Sequence, residues 1–232
     1  MPFELKSVVP WGRTLQEYGS MFNLTADELR KNIVSFGDGP ASFNAEMTTL
    51  GNSVTSIDPI YQFSHTELKN RIDEVKVEVL EQIAKNQEKF VWTSIKDINE
   101  LERLRMGAMN HFLDDLEKGI RDNRYVNHSL PEPTSFADSQ FDLGLSSHFL
   151  ILYAGLGLDF HIKAISEMMR ICTEIRIFPL LNLNAERSEV LDGILDYFGK
   201  EYEAEIAVSG YEFQKGGNKL LKISNKQLRY NL

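Results

Sequence analysis

The chain is poor in cysteine. One residue, Cys172, in 232 excludes an internal disulfide and fits a reducing compartment. It lies where a helical stretch meets a strand-like one, and it reads as a small core residue. Positive charge is also short: 25 Lys and Arg against 34 Asp and Glu give a formal net charge of −9. A phosphate-backbone partner usually asks for the opposite balance, so no nucleic acid is expected. Long apolar runs are missing as well. The longest, residues 149–158, is broken by glycines and falls short of the roughly 20 residues a membrane helix needs. Residues 1–6 show no basic region followed by an apolar one, so no signal peptide, no membrane and a cytoplasmic location are expected. No repeat or low-complexity tract is visible. His65, His111, His128 and His161 have no metal-ligand spacing, and no metal is expected. What the chain does have is 42% hydrophobic and 25% charged residues. That suits one domain, residues 1–232, with a sizeable core.

The most informative stretch is Gly37-Asp38-Gly39-Pro40-Ala41. It follows the apolar run Ile33-Val34-Ser35-Phe36 and leads into a helix-like stretch over residues 42–50. A second apolar run, residues 53–57, ends at Asp58. The order is strand, glycine turn, helix, strand, carboxylate. Glycines let a ligand approach the backbone closely, and the helix N-terminus offers free N–H groups beside it. A carboxylate ending the next strand, about 20 residues on, suits a ribose diol. The pattern predicts an adenosine-containing cofactor on Gly37, Asp38, Gly39, Pro40 and Asp58, with Pro59 beside it. Two plainer readings stand next to this one. Asp38 can cap the following helix, and Asp58-Pro59 can simply turn the chain.

Capping boxes at Thr14 to Glu17, Thr25 to Glu28 and Ser64 to Glu67 predict three helix starts, the first running to about Phe22. Pro40 is expected in the first turn of helix 42–50 and Gly51 at its C′ position. Leu68, Ile72, Val75, Val79 and Ile83 fall at helical spacing. Ile98, Leu101, Leu104, Met109 and Phe112 mark another helix over 97–121. The span 64–124 is longer than a usual crossover and reads as a helical insertion or cap. Strands are expected at 124–126, 141–146 and 174–178. Asp159 is expected to cap a helix reaching Ile171, and a further helix spans 188–200. Segments 203–208 and 219–223 read as a closing antiparallel hairpin. The alternation predicts an α/β fold with a doubly wound, mostly parallel sheet that binds ligands at its C-terminal strand ends.

From about residue 25 to 224, the order of parts resembles the class I S-adenosylmethionine-dependent methyltransferases. Residues 33–41 look like the family's first motif, and Val54-Thr55-Ser56-Ile57-Asp58 like its second strand with the ribose-binding acid. Leu130-Pro131 through Phe136-Ala137-Asp138-Ser139-Gln140-Phe141-Asp142-Leu143 looks like its approach to strand four. Val9-Pro10-Trp11-Gly12-Arg13 with residues 37–44 resembles a bacterial methyltransferase-like subgroup of unassigned substrate. The resemblance implies a Rossmann-like, seven-stranded sheet with an antiparallel C-terminal hairpin. It also implies S-adenosyl-L-methionine as cofactor and methyl transfer to an acceptor. The chain departs from the pattern at Ser35, where an acid is common, at Ala41 in the third glycine position, and after strand three, where His128 or Ser129 replaces the usual acid. The Asn/Asp-Pro-Pro-Tyr of exocyclic-amine enzymes is replaced by Ser146-Ser147-His148-Phe149. Together with the acidic balance, this points to a small-molecule acceptor, sugar-like or a lipid head.

Ser146 and His148, at the end of strand four, are candidates for the cofactor site. His148 is also the one candidate catalytic base; its plainer reading is a hydrogen-bonded core histidine. Arg13 pairs with the cofactor carboxylate if its segment folds over the pocket, and Trp11 then excludes water; otherwise both anchor a terminal helix. Tyr18, Tyr153 and Tyr211 either face the substrate or pack. Two other classes stay open. One is a non-catalytic cofactor- or partner-binding protein on the same fold. The other is a nicotinamide-dependent oxidoreductase, which Ser42 at the third glycine position of G-x-G-x-x-G disfavours.

Overall fold

A computed structural model describes residues 11–226. Val9 and Pro10, part of the resemblance above, and both ends of the expected 1–232 domain lie outside the described residues. One seven-stranded sheet dominates, in the order β3-β2-β1-β4-β5-β7-β6. Its strands are β1 (Ile33–Phe36), β2 (Val54–Ile57), β3 (Tyr125–Val126), β4 (Phe141–Ser147), β5 (Cys172–Phe178), β6 (Tyr202–Val208) and β7 (Lys219–Asn225). β1 to β5 pair in parallel, and β7 runs antiparallel to both β5 and β6. This is the doubly wound, Rossmann-like sheet with a closing antiparallel hairpin expected from the sequence.

The strands read as apolar runs because helices cover both faces. Ile33 packs with α1 (Leu15–Phe22) and α2 (Phe43–Thr49). Its neighbour Val34 faces α5 (Leu158–Ile171) and α6 (Leu191–Phe198) on the opposite side. Between β2 and β3 run two long helices, α3 (His65–Lys85) and α4 (Ile98–Arg121). Ser64 opens α3 with a complete capping box, Asp97 caps α4, and all five apolar positions expected on α3 are buried. On α4 the buried face also holds Arg105, at 0% exposure, which no apolar stripe announces.

Local signals fail where tertiary pairing overrides them. The Thr25–Glu28 box forms, but it closes only the 3-10 turn Glu28–Arg30. Pro40 lies in a turn before α2, not in its first turn, because the chain must first clear the glycine turn. Gly157, at φ +85°, and not Asp159, occupies the N-cap of α5. β5 starts at Cys172, two residues earlier than expected, because its ladder with β4 begins at the Phe141 pair.

Candidate cofactor and active site

Strand order reverses between β1 and β4, and open α/β sheets bind ligands outside the carboxyl ends at that point. A cavity of about 670 Å³ opens there. Gly37, Asp38, Gly39, Pro40, Asp58, Pro59, His148 and Arg13 all reach its wall. Ser146 does not. It is fully buried, and its Oγ has no hydrogen-bond partner among the described residues. β4 runs one residue further than expected, and the pleat turns the neighbouring Ser147 to the cavity instead.

The two glycines of the turn do different work. Both have left-handed backbones, φ +61° at Gly37 and +57° at Gly39. A Cβ on Gly37 would lie 2.5 Å from the Phe149 ring, whereas one on Gly39 would meet nothing within 4 Å. Packing therefore demands Gly37, while the space at the Gly39 Cα is free of described neighbours. Asp38, between them, does not cap α2, which starts after Ser42 with no side-chain cap. Its carboxylate accepts hydrogen bonds from Ser35 Oγ at 2.5 Å, from Ser56 Oγ and from the Tyr18 hydroxyl. Burial raises its pKa, and the three hydroxyls oppose that rise. Tyr18 in turn stacks on Phe43, with ring centroids 4.2 Å apart.

Asp58 serves the turn and the cavity together. Its Oδ1 accepts from Ile60 N at 2.9 Å, capping the 3-10 turn Pro59–Gln62, and its Oδ2 accepts from Gly39 N at 2.9 Å. Burial pushes its pKa up to about 6. The Tyr61 hydroxyl donates to Gly39 O at 2.9 Å, so both polar groups of that peptide's glycine are held from β2's end. His128, Ser129 and Leu130, just past β3, complete this side of the wall.

On the β4 side, His148 sits in a left-handed conformation, φ +53°. Its backbone N–H donates to Phe178 O at 2.7 Å, and Nδ1 lies 2.8 Å from Ser147 Oγ. Burial, then the charges of Arg13 and Arg105, push its pKa well below the usual imidazole value. Arg13 Nη1 donates to Trp11 O at 2.6 Å, but its Nε has no hydrogen-bond partner among the described residues and lies 4.0 Å from Glu17. Glu17 is committed elsewhere: to Arg105 at 2.6 Å, to the Tyr211 hydroxyl at 3.0 Å and to Thr14 N at 3.0 Å. Two arginines thus share one carboxylate, and burial with the Arg105 charge lowers Arg13 to about 10. Arg13 and Arg71 thus stand on a wall that also holds the carboxylates of Asp38, Asp58 and Glu67. Tyr211 packs away from the cavity, whereas Tyr18 and Tyr153 line it.

Sequence reasoning missed Phe149 and the wall made by Phe90, Phe213 and Gln214. Residues 90 and 213 come together only through tertiary pairing, and no local pattern marks them. Val79 and Ile83 carried a signal, their helical spacing, but it did not say that they face a cavity.

Over 222 residues, 94% of this chain and 97% of the other, the sequence is 38% identical to the uncharacterized protein MJ0045 of Methanocaldococcus jannaschii. The chain belongs to the family of that archaeal protein. No family model matches it. Among solved structures it is similar to the methyltransferase domain of bacterial-CtHen1-CN, with a TM-score of 0.50 at 11% identity over 90% of this chain and 97% of that one. The TehB-like SAM-dependent methyltransferase from Corynebacterium glutamicum superposes with a TM-score of 0.46 at 16% identity, over 85% of this chain and 81% of that one. The likeness to the CtHen1 domain shows that this chain has the Rossmann-like fold of that methyltransferase domain.

Proposed function

We propose that the protein is an S-adenosylmethionine-dependent methyltransferase with a small-molecule acceptor. The observation that carries this reading is the Gly39–Asp58 hydrogen bond across the ends of β1 and β2 at the cavity wall. It supports the reading by setting a glycine with free space at its Cα beside a buried carboxylate, the pair of features that an amino-acid tail and a ribose diol would use. Gly39 and Pro40 are assigned to the methionine part, Asp58 and Pro59 to the ribose, and His128 to Leu130 to the adenine. Arg13, which shares Glu17 with Arg105, is assigned to the cofactor carboxylate.

S-adenosyl-L-methionine, when bound, supplies an electrophilic methyl group on a positively charged sulfur. The chain's part is to hold the acceptor aligned with it, which contributes up to about 7–11 kcal/mol in well-oriented cases. Neutral His148 accepts the acceptor's proton at Nε2 when the nucleophile is a hydroxyl. The acidic surface and the absence of the amine-methylating motif support an acceptor other than nucleic acid.

Calorimetry and thermal shift with S-adenosylmethionine, S-adenosylhomocysteine and NAD test the reading, since a ligand of the native state raises the melting point. Stabilisation by the two adenosyl compounds alone is the expected result. Stabilisation by NAD alone overturns it. Cofactor binding with no transfer to any nucleophile class identifies a non-catalytic binder.

A further inference from the structure

We infer that the acceptor is an uncharged, ring-bearing apolar molecule with one reactive hydroxyl, seated against Val79, Ile83, Phe90 and Phe213 with that hydroxyl toward His148. The inference rests on the methyltransferase reading and adds the substrate class. It departs from the sugar-like or lipid-head acceptor suggested by the sequence.

The argument starts from how this wall is built. Val79 and Ile83 lie on α3, Phe90 follows it, and Phe213 belongs to the loop between β6 and β7. All four line the cavity and share one apolar cluster with Trp11. Backbone pairing knits the two distant loops together: Val91 N donates to Phe213 O at 2.7 Å, and Lys215 N donates to Lys89 O at 2.9 Å. The Phe90 and Phe213 rings lie 5.0 Å apart, and Trp92 packs edge-on against Phe213 at 5.3 Å. Trp92 Nε1 donates to Gln87 O at 3.0 Å, which fixes that indole. A tied, aromatic wall of this kind is a preformed surface.

The chemistry of the wall then selects its occupant. Apolar ring surface placed there is removed from water and gains in proportion to the area it buries. A sugar or nucleotide would bury several polar groups, each unfavourable if left without a partner, and Gln214 is the one polar side chain that these two loops add to the cavity lining. An anionic acceptor would face three carboxylates of the same cavity, Asp38, Asp58 and Glu67, against the two arginines Arg13 and Arg71. His148 lines the same cavity, and its Nδ1 lies 2.8 Å from Ser147 Oγ, which leaves Nε2 to meet a hydroxyl. In the transfer the acceptor oxygen forms the new O–C bond and its proton passes to His148 Nε2. The methyl C–S bond breaks with its electron pair going to sulfur.

The test is calorimetric titration of 2-naphthol, with methyl glucoside as the polar comparison, into the protein alone and saturated with S-adenosylhomocysteine. The expected result is that 2-naphthol binds and methyl glucoside does not. Phe213→Ala and Ile83→Lys should each weaken 2-naphthol by about tenfold or more while S-adenosylhomocysteine binding and cooperative melting persist. Should one variant fail to fold, the other still reports. Methyl glucoside binding as tightly as 2-naphthol, or both folded variants retaining full 2-naphthol affinity, overturns the inference. If S-adenosylhomocysteine does not bind but 2-naphthol does, in a Phe213-dependent way, the cofactor reading falls and the apolar seat stands.

Discussion

The Gly39 amide donates to Asp58 Oδ2 at 2.9 Å, so the turn after β1 is held by the residue that ends β2. Two functions expected of separate motifs are therefore one structure, and disturbing the carboxylate disturbs the glycine backbone.

Asp58 gives the first prediction. Asp58→Asn removes a charge-assisted acceptor, so S-adenosylhomocysteine binding should weaken by about tenfold or more, while circular dichroism keeps the native helix signal. The pH dependence has two opposite signs. Burial raises the folded-state pKa from 3.8 to about 6, so the folded protein holds a proton that the unfolded chain releases. Asp58's contribution to stability is full below 3.8 and is lost as pH rises through about 6. Melting points of the Asn variant should gain on those of the parent over that window. Cofactor affinity should rise over the same window, because the ionised carboxylate is the better hydroxyl acceptor. A flat affinity across it contradicts the ribose role.

The two glycines should separate stability from binding. Gly37→Ala meets both the left-handed penalty, about 1–2 kcal/mol, and the Phe149 ring at 2.5 Å. Gly39→Ala meets only the penalty, since open space surrounds it. Thermal melts should therefore show the larger loss for Gly37→Ala. Calorimetry on the still-folded Gly39→Ala should show the cofactor site blocked.

Glu17 is the carboxylate on which the N-terminal part of the site depends. Burial by itself would raise its pKa, but the charge and hydrogen bonds of Arg105 outweigh that and hold it at about 2. Its contribution to stability is thus present above 4.5 and fades as pH falls through about 2. Glu17→Gln leaves Arg105 buried without its anion and should cost about 3–5 kcal/mol in denaturant unfolding at neutral pH. Adding Arg105→Met should recover part of that loss; a double variant no better than the single would show that the pair is not coupled.

His148 should stay neutral. An NMR titration should show its ring signals unmoved through the usual imidazole range, because burial and the two nearby arginines disfavour the cation. With a hydroxyl acceptor, His148→Ala should slow transfer by roughly 10²–10⁴-fold. Acidification through that range should leave the parent's base intact.

Much of this was legible in the chain. Local patterns are short-range physics, so the glycine turn, the capping boxes at Thr14 and Ser64, the apolar spacing of α3 and the carboxylate after β2 all appear in the structure as read. The sequence by itself determined the alternation of strands and helices, and with it the carboxyl-end crevice where Gly39, Asp58 and His148 meet. Tertiary structure alone decided the rest. Ser147 faces the cavity and Ser146 does not, because the β4–β5 ladder extends β4 by one residue. Arg105 is buried because Glu17, 88 positions away in sequence, neutralises it. Phe90 and Phe213 share one wall of the cavity because two loops pair across the fold. Pairing between distant segments depends on loop closure and on which partner is already in place, and neither is written into any short window of residues.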